Sequence, residues 1–209
     1  VVSDVDDGLR VTRDDLLTHA HVLEALVEHG PVLPVQFGTI APDDAAVRRD
    51  VLEGQHDDLV ELLEAFADVV QLTVDVAHEE EAALREVLLR DPQLVALRDQ
   101  LRGRSDQASQ LRLGEAVAGA LEDLRADDGA IVVDRLAPLA RAVAENDRPG
   151  SGEVVSLALL VDRAGRTAMD EAVANVRDEL GPRVRVRYVG PQPPYAFLEP
   201  VATGELAWA

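Results

Sequence analysis

Apolar residues first recur at helical spacing near the start of the chain. Leu16, His19, Leu23, Leu26 and Val27 fall on one helical face. Thr12 is a good N-cap and Asp15 stands three residues on, close to a capping box, while Gly30-Pro31 stops the helix. Val32 to Ile40 reads as an edge or irregular strand, because Pro34 has no N–H to give to a ladder. Asp43 or Asp44 caps a helix over about 44–66. Its apolar face is Val47, Val51, Leu52, Leu59, Leu62, Leu63 and Phe66, and Gly54 weakens its middle. Over 69–76, Val70, Leu72, Val74 and Val76 alternate with Gln71, Thr73 and Asp75, a strand with one face buried and one wet.

A long helical stretch follows. Glu79-Glu80-Glu81 makes an acidic first turn that suits the helix N-terminal dipole. Asp91-Pro92 reads as an N-cap followed by proline at the first helical position. After the polar connector Gly103-Arg104-Ser105-Asp106, Leu113, Val117, Leu121 and Leu124 continue a stripe, and Asp127-Asp128-Gly129 is expected to end it. Ile131 to Val133 is open between a strand and a last helical turn, and Leu139 to Val143 leads into a strand before a polar turn over 145–152. Val154 to Val161 is almost unbroken in apolar character, the mark of a strand buried on both faces. Met169, Ala172, Val173, Val176 and Leu180 form an amphipathic helix that Gly181-Pro182 stops. Val184, Val186 and Tyr188 then alternate with Arg183, Arg185 and Arg187. That basic stripe either pairs with the acidic first half or faces a partner.

The order from residue 69 onward is β-α-β-β-α-β, ferredoxin-like with an enlarged first helical crossover. The fold class is therefore α+β. A small N-terminal α+β domain is expected over 1–66 and a modified ferredoxin-like domain over 67–190. An extended tail over 191–209 is expected to dock back on the N-terminal domain. Tyr195 and Phe197 are two of the five Phe and Tyr residues in the chain, and placing them on a proline-rich tail implies an apolar site to receive them. The apolar opening Val1-Val2 reads like the end of a strand whose beginning lies upstream.

Composition narrows the function. The 209 residues carry 40 carboxylates against 20 cations, for a net charge of −20, and every cation is arginine. Lysine codons are A-rich, so a GC-rich genome accounts for the missing lysine. Residues 1–101 hold 23 acids and 7 arginines, so most of the negative charge lies in the first half. Such a field repels phosphate backbones, making nucleic acid and anionic membranes poor partners. No apolar run approaches the roughly 18 residues of a spanning helix. With no cysteine, thiol catalysis, thiolate zinc sites and disulfides are excluded.

Catalytic constellations are missing too. None of Ser3, Ser105, Ser109, Ser151 and Ser156 lies in a G-x-S-x-G elbow. There is no G-x-G-x-x-G and no phosphate loop ending in lysine. Asp4 to Gly8 fails the spacing of a calcium loop and reads as an acidic turn. His19 and His21 point about 200° apart on a helix and cannot share an ion. His56 and His78 have no partner at ligand spacing. No enzyme activity, cofactor or metal is expected.

Three segments carry a resemblance. They are His19-Ala20-His21-Val22-Leu23-Glu24-Ala25-Leu26, then Val32-Leu33-Pro34-Val35-Gln36-Phe37-Gly38-Thr39, and Gly190-Pro191-Gln192-Pro193-Pro194-Tyr195-Ala196-Phe197. With Leu157 to Arg163 before the last, the chain resembles the gas vesicle synthesis protein GvpL/GvpF family over essentially its whole length. The family's common serine between the final tyrosine and phenylalanine is Ala196 here, and its usual phenylalanines are Leu159 and Met169. The resemblance implies a non-enzymatic accessory or minor structural protein of gas vesicles, located with them in the cytoplasm. It implies contact with the small hydrophobic shell protein and other accessory proteins during vesicle nucleation. It marks His19, Pro34, Phe37, Gly38, Thr39, Gly190, Pro191, Pro193, Pro194, Tyr195 and Phe197 as structural or interaction residues. The alternative from another class is a regulatory protein that senses a small molecule through its ferredoxin-like domain.

Overall fold

The computed structural model describes residues 12–103, 107–146 and 152–198. The expected acidic turn at Asp4–Gly8, most of the connector at 103–106 and most of the turn at 145–152 lie outside them. The described residues divide into two compact units, those up to 71 with those from 190 onward, and those between 72 and 189.

In the first unit, α1 (Arg13–Val27) starts at the expected cap. The Thr12 N–H donates to Asp15 Oδ2 at 2.9 Å and the Asp15 N–H donates to Thr12 Oγ1 at 3.3 Å. Leu23 and Val27 are buried, but Leu16 and Leu26 are exposed, so the covered stripe is narrower than its periodicity predicts. Residues 32–40, expected as a strand, form none. Pro31 and Pro34 offer no donor, and a turn at Phe37-Gly38 with Gly38 at φ +88 breaks the extended run. The single helix expected over 44–66 is divided. Asp43 caps a short α2 (Asp44–Ala46), a wider π-type turn runs over Val47–Glu53, and α3 (His56–Ala65) begins after Gly54. Val51 and Leu52, expected inside, are exposed on that wider turn, whereas Phe66 is buried.

The sheet has the expected ferredoxin-like order. β1 (Val69–His78) is followed by α4 (Glu80–Arg90), α5 (Pro92–Leu101) and α6 (Gln107–Leu136). Then come β2 (Ala142–Glu145), β3 (Glu153–Asp162), α7 (Arg166–Leu180) and β4 (Val184–Gln192). The strands lie in the order β2-β3-β1-β4, and β2 pairs antiparallel with β3 from Ala142↔Leu160 to Glu145↔Leu157. Asp91 caps α5 as expected, its Oδ1 accepting from Gln93 N at 2.8 Å and Leu94 N at 3.2 Å. Gly181 at φ +63 ends α7, a conformation that a side chain resists.

Three expectations need correction here. Gln71 and Thr73 are buried, so β1 is covered on both faces rather than half wet. Asp127-Asp128-Gly129 does not end a helix. α6 continues for 30 residues through Ile131–Val133, because Asp128 is paired inside the protein and is not a solvated terminator. The strand entered near Leu139 begins only at Ala142, after a short turn over Ala137–Leu139. Leu157, Ala158, Leu159 and Val161 of β3, Met169, Val176 and Leu180 of α7, and Val132 and Leu136 of α6 are all fully buried. Each large side chain there contributes about 1.5–3 kcal/mol by leaving water.

Candidate interaction surface

In the first unit, the motif residues gather around α1. The His19 ring meets Phe37 with centroids 5.2 Å apart and planes tilted by 58°, an aromatic contact worth about 0.5–1.5 kcal/mol beyond its area. Phe37 is presented by the turn at Gly38. Thr39 fastens that turn by donating Oγ1 and N–H to Gln36 O at 2.8 and 3.2 Å. Pro34 is half-buried just before it. Both Thr39 bonds go to one backbone carbonyl, so this residue serves the shape of the turn.

The G-P-Q-P-P-Y-A-F segment lies in the same unit. Its first residues extend β4, and Pro191, Pro193 and Pro194 are buried. Tyr195 to Phe197 form one tight turn, with Phe197 N–H donating to Pro194 O at 3.0 Å. The extended course expected for the whole segment therefore stops at Pro194. Gln71 in β1 accepts the Ala196 N–H on Oε1 at 2.9 Å. A backbone donor makes that bond, so alanine serves there as well as serine. Burial, then the neighbouring Glu24 carboxylate of α1, push the Tyr195 phenol above its ordinary range. Thus α1 has Phe37 beside His19 and Tyr195 beside Glu24. Gly190 opens the segment at φ +146, a conformation available to glycine.

Around this cluster the surface is apolar and acidic. Leu17, Val22 and Leu26 of α1, with Val35 and Ile40 of the following loop, are exposed. Asp14 and Asp15 open α1, and its last turn has no basic residue. Hydrogen bonds from the Thr12 side chain and backbone hold Asp15 below the usual carboxylate range.

The second unit contains several paired charges. Asp128, fully buried on α6, accepts from Arg183 Nε at 2.9 Å and Nη2 at 2.8 Å, and lies 3.0 Å from His78 Nε2. Burial alone would raise the Asp128 pKa. The bonds from Arg183 and His78 outweigh burial and hold it below its ordinary value. With both oxygens engaged in a sealed site, the cluster is a structural ion pair. Of the basic stripe, Arg185 and Arg187 pair with Glu79 at 3.0 Å and Asp75 at 3.4 Å, both in the acidic first half. Arg183 pairs instead within the second half and precedes the strand. Ser156 Oγ also donates to Asp75 at 2.6 Å. Spacing arguments missed the His78–Asp128 pair because its members are 50 residues apart.

Among the described residues, no three His, Asp or Glu side chains converge as a metal site. No helix among them is long and apolar enough to cross a membrane.

Residues 1–199 match the family model described as gas vesicle synthesis protein GvpL/GvpF. Gas vesicle protein F of Streptomyces sp. (strain CB03234) is 35% identical over 204 residues, covering 95% of this chain and 83% of that protein. Gas vesicle protein F of Nostoc sp. is 24% identical over 191 residues, covering 90% and 78%. The crystal structure of gas vesicle protein GvpF from Anabaena sp. PCC7120 superposes with a TM-score of 0.77 at 23% identity, covering 94% of this chain and 82% of that one. GvpF from Microcystis aeruginosa gives 0.71 at 21% identity, covering 93% and 82%.

Proposed function

Because the chain belongs to the gas vesicle synthesis protein GvpL/GvpF family, we propose that it is a non-enzymatic accessory protein of gas vesicle assembly. It holds the hydrophobic shell protein and contacts other accessory proteins while vesicles nucleate. The family match over residues 1–199 carries this reading. The exposed apolar side chains of α1 and its following loop give a hydrophobic partner somewhere to rest. The net charge of −20 keeps a complex with an aggregation-prone partner dispersed through mutual repulsion. His19, Phe37, Gly38, Thr39 and Pro34 shape this surface, and the segment from Gly190 through Pro191, Pro193, Pro194 and Tyr195 to Phe197 completes it. The protein acts in the cytoplasm at the vesicle.

The tail is read as docking on the N-terminal domain, because residues from 190 group with that part of the chain in one compact unit and the Tyr195 phenol feels the Glu24 carboxylate of α1. Truncation after Gly190 is expected to expose apolar surface and lower the melting temperature. An unchanged melting temperature would refute the docking. The role itself is tested in a vesicle-forming host. Removing this gene, with the shell-protein gene intact, is expected to abolish vesicles, and restoring this chain is expected to bring them back. Normal vesicles without it would overturn the assembly role.

A further inference from the structure

The second unit contains a helical arm whose two roots meet at one buried charge cluster. α4, α5 and the first part of α6 pack on one another around Ala83, Val87, Leu94 and Leu124. The rest of α6 packs on β3 and α7. A 30-residue helix is about 45 Å long, so a single rod belongs to the arm at one end and to the sheet core at the other. On its inner stripe, Leu124, Asp128, Val132 and Leu136 follow at four-residue spacing, all buried. Asp128 is the charged member, and it lies where the arm's core gives way to the sheet's.

The same cluster holds the other root. His78, the last residue of β1, lies two positions before α4 begins at Glu80. Its side chain reaches Asp128 and its N–H donates to Gly152 O at 2.7 Å. Arg183 enters from the turn before β4, where its carbonyl accepts the Glu79 N–H at 2.8 Å and its Nη1 donates to Leu180 O at 2.7 Å. Glu86 of α4 and Glu179 of α7 add negative charge around the same guanidinium. A stripe made only of apolar residues would tolerate sliding by one turn, because leucine accepts many neighbours. A buried carboxylate that must meet a two-pronged guanidinium accepts one position.

We propose that the Asp128–Arg183–His78 cluster is a fulcrum that fixes the register and angle of the helical arm against the sheet. The arm then presents its outer surface, including the exposed Leu89 and Leu111, in one orientation. This inference concerns the second unit alone and does not depend on the vesicle role.

The chain contains no cysteine, so paired spin labels can be placed cleanly at Leu111→Cys on the arm and Asn175→Cys on α7. The expected parent result is one narrow distance distribution. Asp128→Asn removes the charge and is expected to lose that single peak. Because a stranded Arg183 can unfold the protein, a second variant replaces all three groups with apolar ones (Asp128→Leu, His78→Leu, Arg183→Met). It is expected to fold cooperatively and yet show a broadened or shifted distribution. A parent-like narrow peak in either folded variant would overturn the proposal, as would a broad distribution in the parent. Failure of both variants to fold also counts against it, since the cluster would then carry stability in place of orientation.

Discussion

Arg183→Ala is expected to cost about 3–5 kcal/mol of unfolding free energy, because it leaves the Asp128 carboxylate buried without its cation. The Arg185→Ala change removes an ion pair whose members are both exposed, and about 0–1 kcal/mol is expected there. Urea titrations of the two variants measure the contrast, and equal losses would contradict the structural reading of the buried cluster. The pH dependence has a definite sign. Asp128 is held below its ordinary value in the folded state, so its contribution is present above the unfolded carboxylate value of about 4. That contribution is lost as pH falls through the folded value. Without Arg183, burial is opposed by less, the carboxyl group rises, and acid unfolding begins at a higher pH than in the parent.

Leu159→Ala is expected to cost about 2–5 kcal/mol, since this side chain is fully buried at the centre of β3 and its removal leaves a cavity. Leu159→Phe should also destabilise, by about 1–3 kcal/mol. The site is filled here around the leucine, and Met169 is likewise fully buried. Thermal unfolding reads both changes. A neutral alanine variant would show that the β3 core is packed less tightly than these burials require.

How far the sequence could be read depended on the range of the interactions involved. β3, α7 and β4 follow from local patterns: an unbroken apolar run, a helical stripe stopped by Gly181-Pro182, and strict alternation around Tyr188. The Asp91-Pro92 cap is local too, and it forms as read. Asp128 was misleading because Asp-Asp-Gly is a good terminator by propensity, while its pairing with Arg183 comes from 55 residues away. Nothing near Asp128 in the chain announces that partner. Gln71 and Thr73 look like the wet side of a strand, yet both are buried.

The candidate surface divides the same way. The motifs named His19, Phe37 and the proline-rich segment, but their arrangement around α1 depends on contacts between distant parts of the chain. Helical periodicity placed Leu16 and Leu26 inside with Leu23. They are exposed, because periodicity reports which residues share a face and cannot report how much of that face is covered. Leu26 is also one of the positions that give the vesicle-assembly reading a physical surface.

The most direct measurement of that reading is association between this protein and the vesicle shell protein, both purified and mixed over a range of salt concentrations. The account predicts a defined soluble complex that keeps the shell protein from aggregating, weakened when Val22 and Leu26 are made polar. A shell protein that aggregates unhindered, with no complex at any salt concentration, would contradict it.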